Sequence, residues 1–236
     1  MEVVRGTLKV MADLENTNAW FFDKVQPYLG DRILEAGCGT GNMTSFLLER
    51  GFVVAVDNDL ECLEEVRSRF RSQKNLQILH TDLEDGVVSK AAHYGVNTVI
   101  CVNTLEHIQD DEKVLRNFHL LLPEGGKLIL LVPAIKRLFS PLDKKAGHYM
   151  RYGRRELTEK LQRNGFKVLH SFYHNFFGIL GWFLTGKVLR RERLSPTSLV
   201  LFDRLVPIMR VVESIIGPPI GLSIVLVGQK ESSLNG

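Results

Sequence analysis

Hydrophobic positions along the chain follow two rhythms. Short, nearly unbroken apolar runs recur at Arg32–Glu35, Val53–Asp57, Leu76–Leu79, Thr98–Val102 and Lys127–Val132. Runs of this length, rich in β-branched residues and lacking strict alternation, predict strands buried on both faces. Between them, Asn42–Arg50, Leu60–Ser72 and Asp111–Leu122 mix apolar and polar residues over longer spans and predict helices. Asn16–Leu29, carrying Trp20, Phe21 and Phe22, predicts a helix ahead of the first strand. Strand and helix in regular alternation predict parallel strands joined by crossover helices.

After Val132 the rhythm loosens. Pro133–Gly153 predicts a loop, and Arg155–Asn164 a helix stopped at Gly165. Phe166–Phe172 predicts a strand, 176–216 a helical region broken at Pro196 and Pro207, Gly217–Gly221 a turn, and Leu222–Gln229 a last strand. The longest uncharged apolar stretch, Ser171–Gly186, has 16 residues. That is short of the ~20 that span a bilayer. Met1–Val10 lacks the apolar core of a secretory signal. No internal repeat is present. The expectation is one domain over 1–236: a core at 16–133, loops and a helical cap at 134–221, and a closing strand at 222–230.

Composition adds three constraints. With 44% apolar residues the chain can bury a core, which excludes a disordered class. Cys38, Cys62 and Cys101 are too few for a disulfide framework and point to a reduced, cytoplasmic setting. The net charge of +3 divides unevenly, −7 over 1–133 and +10 over 134–236. Such asymmetry points to an anionic partner on the basic side.

The chemistry concentrates at strand ends. The first strand runs into Glu35-Ala-Gly37-Cys38-Gly39-Thr-Gly41 and then a helix. Glycines permit a tight turn and close approach of a ligand to the backbone, and a helix start offers free N–H groups to an anionic group. A dinucleotide loop would place its third glycine at position 42, which is Asn42. Gly-x-Gly-x-Gly after an acidic residue resembles instead the nucleotide loop of class I S-adenosylmethionine-dependent methyltransferases. The resemblance covers roughly 16–133. It implies a Rossmann-like, mostly parallel seven-stranded sheet with an antiparallel last strand, and S-adenosylmethionine as cofactor. On it, Glu35, Gly37, Cys38, Gly39 and Gly41 form the loop, Asp57 binds the ribose with Asn58 beyond it toward the adenine, and Asp82 with the backbone of Leu83 meets the adenine.

The fourth strand leads into Asn103-Thr-Leu-Glu106-His107-Ile. This resembles the Leu-Glu-His segment of small-molecule methyltransferases, including those acting on quinone precursors. It does not resemble the Asn/Asp-Pro-Pro-Tyr motif of base and glutamine methyltransferases. The resemblance places Asn103 beside the cofactor. His107 and, in the basic stretch Leu138–Arg155, His148 are the candidate proton acceptors, since imidazole titrates near neutrality. Tyr149, Arg151 and Tyr152 are candidates to line an acceptor pocket. Glu106, His107 and His148 partly match the Glu-x-x-Glu-His site of metal-assisted relatives, but Asn103 stands where the first Glu belongs, so no metal is assigned.

Methyl transfer is a direct displacement at a sulfonium, so alignment and removal of one proton suffice. The expected acceptor is a small or lipid-like molecule, anionic and methylated on oxygen. Two alternatives stay open: a non-catalytic cofactor-binding subunit, and a nucleic-acid methyltransferase suggested only by the basic half. The apolar tail at 172–216 fits a cap over the pocket or a homodimer face. Its basic flank also suits peripheral contact with a membrane.

Overall fold

The computed structural model describes residues 14–192 and 195–231. Met1–Val10 lies outside them. The apolar runs form strands β1 (Arg32–Ala36), β2 (Phe52–Asp57), β3 (Leu76–His80), β4 (Thr98–Val102), β5 (Lys127–Pro133), β6 (Phe166–His174) and β7 (Ser223–Lys230). They make one seven-stranded sheet in the order β3-β2-β1-β4-β5-β7-β6. Neighbours pair in parallel from β3 through β5, and β7 runs antiparallel to both β5 and β6.

Each strand feeds both faces, as an unbroken apolar run requires. Ile33, Val53, Ile100 and Ile129 pack with Phe21, Phe22 and Leu47 on one face. Leu34, Val54, Val99 and Leu128 pack with Val114, Phe118 and Leu157 on the other. The α-helices among the described residues are α1 (Glu15–Val25), α2 (Thr44–Leu48), α3 (Leu60–Arg69), α4 (Val87–Ala91), α5 (Asp111–Leu121), α6 (Pro141–Ala146), α7 (Arg154–Arg163), α8 (Gly178–Trp182) and α9 (Pro196–Ile216). A π-helical segment, Phe183–Val188, continues α8.

Two expectations are corrected. Pro133–Gly153 is not all loop, because it contains α6. Ser140 and Asp143 form a capping box, Pro141 starts the helix, and Gly147 ends it at φ +84°. All four signals were present in the sequence. Nor does the helix break at Pro207; α9 runs unbroken from Pro196 to Ile216. Pro207 is exposed there, so water can serve the carbonyl to which it cannot donate. Within the region expected to form a cap, α8 and its π segment pack against residues 140–151. A Cβ on buried Gly186 would come within 2.6 Å of Ser140, and the Trp182 ring lies over the Arg151 guanidinium at 4.6 Å.

The sheet reverses its winding between β1 and β4. Ligands of open α/β sheets bind at such a switch point, beyond the carboxyl ends of the strands. Both the glycine loop after β1 and the Asn103–His107 stretch after β4 emerge there.

Candidate active site

Gly37, Gly39 and Gly41 have φ of +76°, +51° and +83°. A side chain is strained at such angles. A Cβ on Gly37 would also collide with Thr104, the residue after Asn103. The loop is therefore seated directly on the β4 turn. Asp57, at the tip of β2, holds the loop's other side: Gly39 N donates to Oδ2 at 2.8 Å, and Asp59 N to Oδ1 at 2.9 Å. Asn58 N also bonds this carboxylate, which leaves it one lone-pair direction for a ligand. Burial raises the Asp57 carboxyl above the ordinary range.

Glu35 is buried beneath the loop, where Thr44 Oγ1 donates to it at 2.5 Å. Burial still pushes its carboxyl up to about 8. Cys38 points into the cluster of Ala55, Leu63 and Val66, so only its backbone faces the loop. Asn58 and Asp82 are exposed at the ends of β2 and β3, with Leu83 buried next to Asp82. Asn103 is exposed with φ +47°, a conformation asparagine tolerates. The open glycine cradle, with Asp57 tied across it, fits a ligand carrying hydroxyls and a nucleoside.

A second cluster sits behind the β4 turn. Glu106 and His107 lie in a single 3₁₀ turn, Leu105–His107, and Tyr149 N donates to the Glu106 carbonyl at 2.8 Å. This bond brings His148 against them. The His107 and His148 rings meet edge to face at 4.7 Å, and His148 Nε2 lies 3.9 Å from Glu106 Oε1. His148 Nδ1 donates to Asp143 Oδ1 at 3.1 Å. Fully buried Asp143 also accepts from Arg151 Nε at 2.7 Å and from Ser140. Burial opposes its charge, but His148 and Arg151 hold the carboxyl below its usual value.

Asp143 was not among the residues singled out from the sequence. The pattern of apolar positions predicts loop there, although the capping pattern Ser140-x-x-Asp143 marks the helix. Burial, and secondly the charge of His148, push His107 down to about 4, so it is neutral at pH 7. Burial raises Glu106 to about 7 against the pull of His148. Glu106 Oε2 is buried without a hydrogen-bond partner. Glu106, His107 and His148 each offer a ligand atom within 4.8 Å of the others, so among the described residues these three could hold a divalent ion.

The remaining candidates fall elsewhere. Tyr152 does not line a pocket: its ring is fully buried in the core, and its hydroxyl donates to Asp111 Oδ2 at 2.9 Å and lies 3.2 Å from the Leu105 carbonyl. Arg151 is buried between Asp143 and the Ala134 carbonyl, so its fork is already engaged. Both brace the turn that carries Glu106 and His107. Tyr149 is exposed.

A family model described as a methyltransferase domain matches residues 10–171, more than half of the chain. The chain belongs to this methyltransferase family. With the family goes the cofactor, S-adenosylmethionine, as the glycine loop implied. The methyltransferase is 25% identical over 153 residues to the ubiquinone biosynthesis O-methyltransferase of Coxiella burnetii, covering 59% of this chain and 65% of that protein. It is 32% identical over 113 residues to the protein of the same name from Aeromonas salmonicida, covering 47% of each. The alignment thus spans just under two thirds of the Coxiella protein and about half of the Aeromonas one. The fold matches that of an S-adenosylmethionine-dependent methyltransferase from Clostridium acetobutylicum with a TM-score of 0.60, at 14% identity over 93% of both chains.

Proposed function

We propose that this methyltransferase methylates a hydroxyl of a small or lipid-like acceptor, with His148 as general base and Asp143 as the residue that orients it. One observation carries the reading. Asp143 accepts from His148 Nδ1, which fixes the tautomer and leaves Nε2 as the free lone pair, facing Glu106 and His107 at the switch-point end of the sheet. A hydroxyl acceptor must lose a proton as its oxygen takes the methyl group, and a positioned imidazole can receive it. The imidazolium so formed lies between the Asp143 carboxylate and the Glu106 carboxyl group. His107, neutral and edge-on, lends no competing positive charge. The O-methyltransferase names of the relatives favour oxygen over nitrogen or carbon.

Bound S-adenosylmethionine supplies an electrophilic methyl group. The glycine loop, Asp57 and Asp82 are the residues that would hold it, with Asn58, Leu83 and Asn103 beside them.

The test is methyl transfer to phenolic and catechol acceptors, read by mass spectrometry. His148→Gln is expected to lower kcat by roughly 10²–10⁴-fold while S-adenosylhomocysteine affinity is unchanged. Asp143→Asn should lower kcat in the same direction, with KM less affected. Full turnover by His148→Gln removes the base assignment. Activity lost to a chelator and restored by a divalent ion would instead make His148 a metal ligand.

A further inference from the structure

Helix α9 is built inside out. Its buried positions are Asp203, Val206 and Glu213. Asp203 accepts from the backbone and side chains of Asn16 and Thr17 at the start of α1. Glu213 Oε1 accepts from Phe176 N at 2.6 Å, and Arg210 pairs with Asp23 of α1 at 2.6 Å. The helix thus docks on the body through charged groups.

Its opposite face is apolar. Leu201, Leu205, Ile208, Val211 and Ile215 recur at the spacing of one helical stripe and are all exposed, Ile215 by 79%. Arg204 is the one charge on that stripe. A surface helix normally shows the reverse arrangement, and a continuous exposed apolar face marks an interaction site. The family match ends at residue 171, so this helix lies beyond it.

We propose that the outward face of α9 docks on an anionic lipid bilayer, with the helix lying in the plane of the interface. The charges select this occupant. Lys187, Arg190 and Arg191 are exposed on the segment that leads to α9. Described residues 178–222 contain three acids: Asp203 and Glu213 turned inward, and Glu192 paired with Lys145 at 3.7 Å. The α9 stripe and the segment leading into it therefore supply apolar side chains and cations with no unpaired carboxylate, the composition of helices that seat at the boundary of headgroups and acyl chains. A second copy paired through this same face would bring apolar surface and the same cations, with no free carboxylate to meet them. No helix among the described residues is long and apolar enough to cross a membrane, in keeping with an in-plane position. The proposal rests on the orientation of α9 and not on the identity of the acceptor.

The experiment is flotation of the full chain with vesicles of phosphatidylglycerol and phosphatidylcholine in equal parts, and with vesicles of phosphatidylcholine alone, at low salt. Partition into the anionic vesicles is expected, falling as salt is raised. The double variant Ile208→Asp/Ile215→Asp should partition at least ~10-fold more weakly. Both substitutions are on exposed positions, so its S-adenosylhomocysteine affinity should stay at the parent value and report an intact fold. Absence of the parent protein from the anionic vesicles, or equal partition into the neutral ones, overturns the proposal. So does light scattering that shows a dimer in the absence of lipid which the double variant dissolves, because the face then belongs to a second copy.

Discussion

Asp57 does two things at one position. It ties Gly39, Asn58 and Asp59 together through backbone N–H groups, and it presents its remaining lone pair at the tip of β2. Asp57→Ala should therefore act in the absence of any ligand, by releasing the glycine loop. It should also weaken S-adenosylhomocysteine binding by roughly 10–100-fold, the worth of one or two hydrogen bonds to a charged group. Calorimetry on the variant and on Asn58→Ala, whose side chain is exposed, separates the two sites. Equal affinities for parent and Asp57→Ala would show that the ribose assignment is wrong. The positions of Glu35, Asp57 and Asp82 were legible because each lies at or within two residues of a strand end, and a strand end can be counted from the sequence. Tyr152 was misread because its aromatic ring beside arginines is indistinguishable, one-dimensionally, from a pocket wall. What decides its role is Asp111, 41 residues away, which accepts from its hydroxyl inside the core.

At the scale of elements, Asp111 joins three of them. It opens α5, accepts Lys160 Nζ of α7 at 2.6 and 2.7 Å, and accepts the Tyr152 hydroxyl, which also touches the carbonyl of Leu105 at the base of the Glu106–His107 turn. Lys160 and Asp111 are both buried. Removing one partner leaves the other charge uncompensated, so Lys160→Met should cost ~3–5 kcal/mol of unfolding free energy. Tyr152→Phe, which removes a donor only, should cost ~1–3 kcal/mol. Denaturant titration measures both, and a loss below ~0.5 kcal/mol for each would show that the network carries no stability. The strands, α5 and α7 were readable because their periodicity is local. The short helix α6 was not, and with it went Asp143. Six residues give too little periodicity, so only its capping residues marked it.

For the whole molecule, the two halves of unequal charge turn out to hold each other. Lys160 with Asp111, Arg163 with Glu112 and Arg210 with Asp23 all cross from the basic half to the acidic one. Lys136 and Arg155 are taken up within the basic half by Glu156 and Glu159. The three cross-half pairs take three charges of the +10 excess before any anionic partner arrives, and the sequence could not show it because pairing depends on the fold. The burial that makes these pairs also sets how stability responds to pH. His107 and His174 have folded pKa values pushed down by burial to about 4 and about 3. Between those values and the ordinary histidine pKa of ~6.5, the unfolded chain binds protons that the folded one does not. Stability from these groups is therefore present above that pH and lost as pH falls through the folded values. Glu35 and Glu106 act in the opposite sense. Burial raises them to about 8 and about 7, so the fold favours their protonated forms, and their contribution is lost as pH rises toward those values. Together the four groups give a rise up to about pH 4.5, near cancellation to about 6.5, and a fall toward 8. Glu35→Gln should flatten the alkaline fall by up to ~1.4 kcal/mol per pH unit. His174→Phe, which keeps a ring beside Trp20 where His174 Nδ1 has no partner, should flatten the acid limb by a similar amount. Denaturant midpoints of the cofactor-free protein from pH 4 to 8.5 at constant ionic strength read both effects. If each variant parallels the parent across the whole range, these buried groups titrate as they would in water, and the electrostatic reading of the site fails with them.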